Sequence, residues 1–529
     1  MPDLIHDFIF DSARRTPAAE ALVYGARRLD YAALATAVEQ AAGALLGAGI
    51  GRGERVAIYL EKRIENVAAM FGAAAAGAVF VPVNPLLKAE QVGYILADCN
   101  VRVLVTSPER LVQLAPVLAG CADLRTVLVT GDAKEPTVAH VQVQAWDAAQ
   151  QPPAEASLAA WRAIDTDMAA ILYTSGSTGK PKGVVLSHRN MVAGAQSVAG
   201  YLHNTPEDRI LAVLPLSFDY GLSQLTTAFL VGATAVLINH LFAKDIVQAV
   251  QEERITGLAA VPPLWIQLAA LSWPQDTPLR YLTNSGGAMP TATVAMLRAA
   301  LPSARLFLMY GLTEAFRSTY LPPSELDRRP DSMGRAIPNA QVMVVRPDGS
   351  PCAPNEPGEL VHRGALVSLG YWNDAAKTAE RFRPAPGRDP ALPLTEMAVW
   401  SGDTVRMDEE GFLYFVGRSD DMIKVSGYRV SPTEVEEVVH ATGLVLEAAA
   451  FGVAHPVLGQ AIVLLAVARD AALAPAALLK ECQKRLPAYM VPAHVALRSE
   501  PLPRNPNGKF DRKLLQQSFI NLFESTPTP

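Results

Sequence analysis

Tyr173–Gly183 reads YTSGSTGKPKG and combines four serine or threonine residues, three glycines and two lysines in eleven positions. No acidic residue occurs between Tyr173 and Asn190. The preceding residues 168–173, MAAILY, have the apolar pattern of a buried strand. Glycines let backbone N–H groups approach phosphates, hydroxyls add donors, and lysines offset negative charge. The stretch predicts a polyphosphate-binding loop after a strand, with a solvated turn as the alternative.

This loop differs from the Walker A sequence, because Gly179-Lys180 is followed by Pro181 where that pattern requires Ser or Thr. It resembles the phosphate-loop signature of the adenylate-forming superfamily, which includes acyl-CoA synthetases, adenylation domains of peptide synthetases, and luciferases. By this resemblance, the residues that contact the ATP phosphates are Thr174, Ser175, Gly176, Ser177, Thr178, Gly179 and Lys182.

Bulk properties indicate a multidomain globular enzyme. The chain has 529 residues, of which 50% are hydrophobic and 19% charged, and a net charge of −6. This composition argues against a disordered chain and against a nucleic-acid-binding protein. The four cysteines form no CxxC pair, and the N-terminus lacks a signal-peptide pattern, so we expect a cytoplasmic location. The apolar run Val67–Val83 predicts a helix followed by a strand, with no stable membrane insertion.

Strands and helices alternate through residues 1–165 and again after the loop, which predicts an α/β fold with two doubly wound parallel sheets. Short strands and turns over residues 341–416 predict a small β-barrel or sheet subdomain. The last 110 or so residues predict a separate α+β domain. We therefore expect a large domain at 1–419 and a small, mobile one at 420–529, and the resemblance implies a hinge at Asp420.

Two further segments resemble nucleotide motifs of the superfamily. Tyr310-Gly311-Leu312-Thr313-Glu314 follows a predicted strand, where α/β folds place ligands. The resemblance implies that Tyr310 stacks on adenine, Thr313 contacts the α-phosphate, and Glu314 holds Mg²⁺ on ATP. Gly311 would belong to the same nucleotide site. Ser401-Gly402-Asp403 resembles the motif whose carboxylate accepts hydrogen bonds from both ribose hydroxyls. Alone, the first segment would indicate a helix cap and the second a turn.

The junction and the C-terminus carry two more matches. Gly417–Val430, GRSDDMIKVSGYRV, resembles the domain-junction motif of the superfamily. It implies that Arg418 contacts the nucleotide, that Lys424 and Gly427 serve the second half-reaction, and that Arg429 is a further cation. Residues 503–512, PRNPNGKFDR, resemble the C-terminal motif, with Asn505 where Thr is common. Lys509 would bridge the acid and the α-phosphate.

Together these motifs imply a two-step reaction with ATP, Mg²⁺ and CoA. The acid attacks the α-phosphorus, which releases pyrophosphate, and a thiol then attacks the acyl-adenylate and releases AMP. Lys509 and Mg²⁺ would stabilise the charge that develops on the phosphate. The main prediction is therefore an acyl-CoA synthetase. The alternative is an adenylating enzyme that loads an amino acid or acyl group onto a phosphopantetheinyl carrier protein.

The identity of the acid is less determined by the sequence. Phe218-Asp219 resembles amino-acid-activating adenylation domains, in which the Asp binds the substrate ammonium. A buried carboxylate needs a partner, so we expect Asp219 to contact a cation or hydroxyl. Alternatively, Asp219 caps the helix predicted at 222–231 or faces solvent. By motif position, further pocket residues are Asn284, Gly286, Leu312 and Phe316, with Gly287 and Ala288 on the nucleotide side.

Two other classes of protein remain open at this point. A non-catalytic nucleotide sensor would show no acid-dependent pyrophosphate exchange. A phosphotransferase would release ADP instead of AMP.

Overall fold

The computed structural model describes residues 2–131, 138, 141–149, 163–174, 181–287, 289, 291–389, 391–418, 422–503, 510 and 512–523. Five predicted features lie outside the described residues: Ser175–Gly179, Ala288, Asp420, Lys509 and the side chain of Arg418. Within the described part of the chain, no helix is long and apolar enough to cross a membrane.

The helices, in chain order, are α1 Asp7–Arg15, α2 Tyr31–Gly47, α3 Ile64–Ala75, α4 Ala89–Asp98, α5 Pro108–Leu118, α6 Trp146–Ala149, α7 His188–Leu202, α8 Asp219–Val231, α9 Ala243–Glu252, α10 Pro262–Ala269, α11 Thr291–Ala300, α12 Ala375–Arg381, α13 Pro432–Ala441, α14 Pro475–Arg485 and α15 Arg512–Gln517.

The strands are β1 Glu20–Tyr24, β2 Arg27–Asp30, β3 Arg55–Tyr59, β4 Val79–Pro82, β5 Val101–Thr106, β6 Thr126–Val129, β7 Gln142–Ala145, β8 Met168–Thr174, β9 Lys182–Ser187, β10 Arg209–Ala212, β11 Thr234–Leu237, β12 Gly257–Ala260, β13 Tyr281–Asn284, β14 Arg305–Tyr310, β15 Thr319–Leu321, β16 Arg335–Ala336, β17 Ala340–Val345, β18 Gly358–Gly364, β19 Phe382–Pro384, β20 Met397–Met407, β21 Leu413–Arg418, β22 Ile423–Val425, β23 Tyr428–Val430, β24 Val445–His455, β25 Gly459–Ala468 and β26 His494–Arg498.

Two large sheets confirm the predicted α/β architecture. One has the order β16-β15-β14-β13-β12-β10-β11-β1-β2, and the other has the order β7-β6-β5-β3-β4-β8-β9. The centres of both sheets are parallel, whereas β2, β9, β15 and β16 pair antiparallel at the edges. Parallel strands need both faces covered. One core cluster contains α2, α3, α7 and α8, a second contains α9 to α11, and a third contains α4 and α5.

The phosphate-loop segment lies between antiparallel neighbours. Tyr173 pairs with Gly183, and Thr174 pairs with Lys182, so the segment connects β8 to β9. A Walker A loop instead joins a strand to a helix. The different connection agrees with the departure of the sequence from that pattern.

Two smaller sheets complete the chain. Strands β17 to β21 form a five-stranded antiparallel sheet, which corresponds to the β subdomain predicted at 341–416. Strands β22 to β26 form a five-stranded sheet with α13 and α14 packed on its core. The domain boundary at 419/420 stays a prediction.

Helix α8 begins earlier than the predicted residues 222–231. Asp219 is its first residue, and Phe218 is the residue before it. Gly221 lets the first turn approach the preceding chain, because a Cβ atom at this position would lie 2.0 Å from the carbonyl oxygen of Pro215. The helix start therefore presents Asp219 at the carboxyl end of β10.

Candidate active site

A cavity of about 800 Å³ lies where both large sheets meet the sheet of β22 to β26. Each of the three predicted groups, the phosphate, ribose and thiol-side residues, has members that line this cavity, although these residues are far apart in the chain. The predicted residues that line it are Thr174, Phe218, Asp219, Asn284, Gly286, Gly287, Tyr310, Gly311, Leu312, Thr313, Asp403, Lys424, Gly427 and Arg429.

Cationic side chains surround the part of the site next to Glu314. Lys182, Arg381 and Arg429 line one pocket with Thr174 and Glu314. Burial lowers the pKa of Lys182, and the positive charge of nearby Lys377 acts in the same direction. An anionic ligand such as a phosphate would offset this concentration of positive charge.

Glu314 is buried, with one carboxylate oxygen held by the protein. Its Oε1 accepts a 2.6 Å hydrogen bond from the Tyr371 hydroxyl, whereas Oε2 has no hydrogen-bond partner among the described residues. Burial alone would raise the pKa of Glu314, but Arg429 and the Tyr371 hydroxyl bring that pKa below its usual value. The carboxylate is therefore ionised at neutral pH and offers a buried oxygen to a cation.

The predicted adenine and ribose contacts are neighbours in the structure. The Tyr310 hydroxyl donates to Oδ2 of Asp403, which is buried on β20. The backbone of Asp403 pairs in register with that of Arg418 on β21. Three separate sequence motifs thus meet at one place.

The hairpin of β22 and β23 inserts its turn into the cavity. Gly427 has φ +85°, and a Cβ atom on it would lie 2.7 Å from Cγ1 of Val261. Gly286, on the opposite wall, has φ +86° and lies next to the Gly427 backbone. Lys424 lines the same cavity, with its Nζ 4.9 Å from the Phe415 ring centroid. Glycine is favoured at both positions by the positive φ, and at Gly427 the close contact with Val261 also excludes a Cβ atom.

The predicted partner of Asp219, a cation or a hydroxyl, is the guanidinium of Arg317. Asp219 Oδ2 lies 3.3 Å from Arg317 Nη1, and only 7% and 2% of the respective side chains are exposed. Burial raises the pKa of Asp219, and the Arg317 guanidinium opposes that rise. Asp219 is thus buried and not solvent-exposed, and it is the first residue of α8 rather than the residue before the helix.

The remaining pocket predictions have different outcomes. Asn284 is buried and donates to Gly287 O, whereas its Oδ1 has no partner in the described part of the chain. Leu312 lines the cavity. Phe316 is instead fully buried in the hydrophobic core against Gly194. Its φ of +53° turns the backbone there, and the adjacent Arg317 is the residue that reaches Asp219.

Comparison with known proteins identifies the family of this chain. The model of the AMP-binding enzyme family matches residues 9–372, and that of the AMP-binding enzyme C-terminal domain matches residues 434–509. This chain belongs to the AMP-binding enzyme family. The match supports ATP as the nucleotide of the cavity, and an adenylate-forming ligase as the type of enzyme.

Three relatives place this AMP-binding enzyme more closely. It is 33% identical to an L-proline–[L-prolyl-carrier protein] ligase from Pseudomonas fluorescens, covering 96% of this chain and 98% of the relative. It is 30% identical to tyrocidine synthase 3 from Brevibacillus parabrevis over 97% of this chain, but spans only 8% of that relative. A solved o-succinylbenzoate CoA synthetase from Bacillus subtilis, bound with a product analogue, is 26% identical with a TM-score of 0.81, covering 96% of this chain and 98% of that one.

Sequence reasoning missed three residues of this AMP-binding enzyme: Arg317, Tyr371 and Arg381. Arg317 gave a weak signal, as a lone cation three residues after Glu314 in an otherwise apolar segment. Tyr371 and Arg381 lie outside every motif and reach Glu314 only through the fold. Among the described residues, no cluster of three or more His, Cys, Asp or Glu could hold a metal ion.

Proposed function

We propose that this AMP-binding enzyme activates a carboxylic acid with ATP and transfers the acyl group to the thiol of a phosphopantetheinyl carrier protein. The acid oxygen bonds to the α-phosphorus and pyrophosphate leaves. The thiol sulfur then bonds to the acyl carbon, AMP leaves, and the thiol proton passes to solvent. ATP, the acid and the carrier are the only reactants.

The observation that carries this proposal is the docking of the β22–β23 turn beside the nucleotide residues. Gly427 lies against Val261 and Gly286, in the same cavity as Thr313 and Asp403. An enzyme that only bound a nucleotide would need no second domain at this point. The cavity that these glycines line would receive the thiol arm of phosphopantetheine, which is common to carrier proteins and CoA.

Mg²⁺ fits the donor set around Glu314. Within the described residues, Glu314 Oε2 is buried, ionised and without a hydrogen-bond partner. Mg²⁺ is commonly held by one or two carboxylates together with substrate phosphates, so the absence of a larger acidic cluster in the described residues agrees with it. When bound, Mg²⁺ would neutralise phosphate charge. Lys182, Arg381 and Arg429 would bind the leaving pyrophosphate.

The main prediction from sequence was transfer to CoA, with a carrier protein as the alternative. The relatives support the carrier protein as the acceptor. The P. fluorescens relative is named as a ligase for a carrier protein and matches over nearly the whole of both chains. CoA remains the second candidate, since the structural neighbour from B. subtilis is named as a CoA synthetase.

Two assays test this proposal. Acid-dependent exchange of labelled pyrophosphate into ATP tests the first half-reaction. AMP, and no ADP, should be the nucleotide released when both half-reactions run. The second half-reaction is tested by comparing CoA with holo carrier proteins, using the apo carriers as controls. We expect thioester on the holo carrier only. Efficient transfer to CoA would instead identify an acyl-CoA synthetase, and ADP as product would exclude both.

A further inference from the structure

Arg317 is held rigidly beside the acyl part of the cavity. Its Nη1 donates to Phe316 O at 3.2 Å and to Asp219 Oδ2 at 3.3 Å. The guanidinium carbon lies 4.8 Å from the Tyr220 ring centroid, which is a cation–π contact. The position of the guanidinium is therefore determined by three neighbours.

The other edge of the same guanidinium has no hydrogen-bond partner in the part of the chain that the structure describes. Arg317 Nε and Nη2 are buried and have no hydrogen-bond acceptor in the described residues. These two N–H groups point in parallel from one edge of the plane, the arrangement that binds a carboxylate through two hydrogen bonds. Buried unpaired donors are rare in proteins, so this edge needs an explanation.

Arg317 lines a small internal cavity together with uncharged polar residues, which include Ser223, Gln224, Thr227, Thr283 and two tyrosines, Tyr220 and Tyr281. Met309 lines both this cavity and the main one, and Asp219 lines the main one. Methionine side chains adapt readily to a ligand. The two cavities therefore adjoin at Met309, so a group on the acid would reach Arg317 by displacing this side chain.

We propose that the acid activated here is an amino dicarboxylic acid, whose ammonium group binds Asp219 and whose second carboxylate binds Nε and Nη2 of Arg317. This inference rests on the proposed function and specifies its substrate class. The first carboxylate remains free for adenylation.

Charge balance favours this class over simpler acids. Asp219 and Arg317 already neutralise each other, and both are almost fully buried. An ammonium group alone would leave one uncompensated positive charge, and a second carboxylate alone would leave one negative charge. An uncompensated charge of either sign is costly in a buried site. The two groups together keep the site neutral, whereas a hydroxyl group would offer one oxygen to two parallel donors.

The test is pyrophosphate exchange with the purified full-length wild-type enzyme across matched acids. Aspartate and glutamate, as both enantiomers, are compared with succinate and glutarate, which lack the ammonium. They are also compared with β-alanine and 4-aminobutyrate, which lack the second carboxylate, and with asparagine and glutamine. Neutral amino acids, fatty acids and aryl acids complete the panel. We expect one amino dicarboxylic acid to exceed every analogue at least about a hundredfold in kcat/KM.

Two variants assign the selectivity to its residues. Arg317→Lys keeps the charge but loses the two-donor edge, so we expect the preference over the amino monocarboxylate to fall at least about tenfold. Asp219→Asn should reduce the preference over the dicarboxylate that lacks nitrogen. Arg329→Lys is the matched control, because Arg329 is also buried, in ion pairs with Glu325, Asp408 and Glu410 outside the cavity. Its acid profile should match that of the wild type.

The outcomes separate the two proposals. If a neutral amino acid, fatty acid or aryl acid exceeds every amino dicarboxylic acid, the proposed function stands and this inference is wrong. If no acid in the panel supports exchange, the proposed function fails and the inference fails with it. The ranking in the wild type needs no variant to fold. An unchanged profile in a folded Arg317→Lys enzyme, judged by circular dichroism, would also overturn the inference.

Discussion

The backbone of Gly427 packs against the side chain of Val261 so closely that a Cβ atom on the glycine would lie 2.7 Å from Cγ1 of the valine. This contact joins the β22–β23 hairpin to the large sheet region. It holds Lys424 in the same cavity as Thr313 and Asp403. The two parts of the chain therefore share one cavity in this conformation.

We expect Gly427→Ala to slow thioester formation at least about tenfold while pyrophosphate exchange stays near the wild-type rate. A non-glycine residue at positive φ costs about 1–2 kcal/mol, and the contact with Val261 adds to this strain. Single-turnover transfer from preformed acyl-adenylate measures the effect. Gly443→Ala is the control, since Gly443 has φ +71° but no atom within 4 Å of its built Cβ. An equal loss in the rate of thioester formation in Gly427→Ala and Gly443→Ala would rule out the Val261 contact as the cause.

Tyr371→Phe should weaken the use of Mg-ATP. The substitution removes the donor that orients Glu314, and hydrogen bonds to charged groups contribute about 1.5–3 kcal/mol. We expect the KM for Mg-ATP to rise about tenfold. Because the Tyr371 hydroxyl also lowers the pKa of Glu314, the loss of activity at acidic pH should begin at a higher pH in the variant.

The control for Tyr371 is Tyr414→Phe, since the Tyr414 hydroxyl donates to Asp408 at 3.1 Å outside the cavity. Initial rates over a series of Mg-ATP concentrations and pH values test the pair. An unchanged KM and an unchanged acidic limit in Tyr371→Phe would remove Glu314 from the metal site.

Glu434 should make docking of the C-terminal region sensitive to pH. The pKa of this carboxyl is raised to about 8, chiefly by burial, with a hydrogen bond to Gln91 opposing the shift and the charge of Glu437 adding to it. Tyr94 and Tyr489 are the other titratable groups that respond to its charge. Docking therefore favours the protonated form of Glu434. The contribution of Glu434 to docking is complete below the ordinary glutamate pKa and is lost as the pH rises towards 8.

We thus expect thioester formation in the wild type to slow between pH 6 and 8 relative to adenylation. Glu434→Gln, which stays neutral, should show a flatter profile. Exposed Glu500, which is not among the groups that shift the pKa of Glu434, supplies the control variant Glu500→Gln. The ratio of the two half-reaction rates, measured across this pH range, tests the prediction. Parallel profiles in wild type and Glu434→Gln would contradict it.

Gly221→Ala should lower the melting temperature and disturb the acid site. A Cβ atom at this position would lie 2.0 Å from Pro215 O, so the start of α8 has to move, at a cost of about 1–3 kcal/mol. Gly200→Ala is the matched helical control, because its Cβ would meet nothing within 4 Å. That change should stabilise the protein by about 0.5–1 kcal/mol. Thermal unfolding of both variants is the measurement, and equal shifts would contradict the packing argument.

Much of the secondary structure follows from local sequence patterns. The residue pattern predicts a helix over 31–47 and a strand over 494–498, and α2 and β26 have these bounds. Both segments show a clear apolar periodicity with polar or turn residues at their ends, so neighbouring residues suffice to specify them. The start of α8 was missed because close packing of Gly221 on Pro215, rather than a local cap, determines where that helix begins.

The sequence by itself determined the α/β class, the family of the phosphate loop and the order of the nucleotide motifs, since each depends on residues within a few positions of one another. Only the tertiary structure decided which side chains complete the site. Arg317 reaches Asp219 across 98 positions, and Tyr371 reaches Glu314 across 57. Such pairs depend on how strands and loops are placed side by side, and on which charges are buried together. Local sequence patterns do not contain that information.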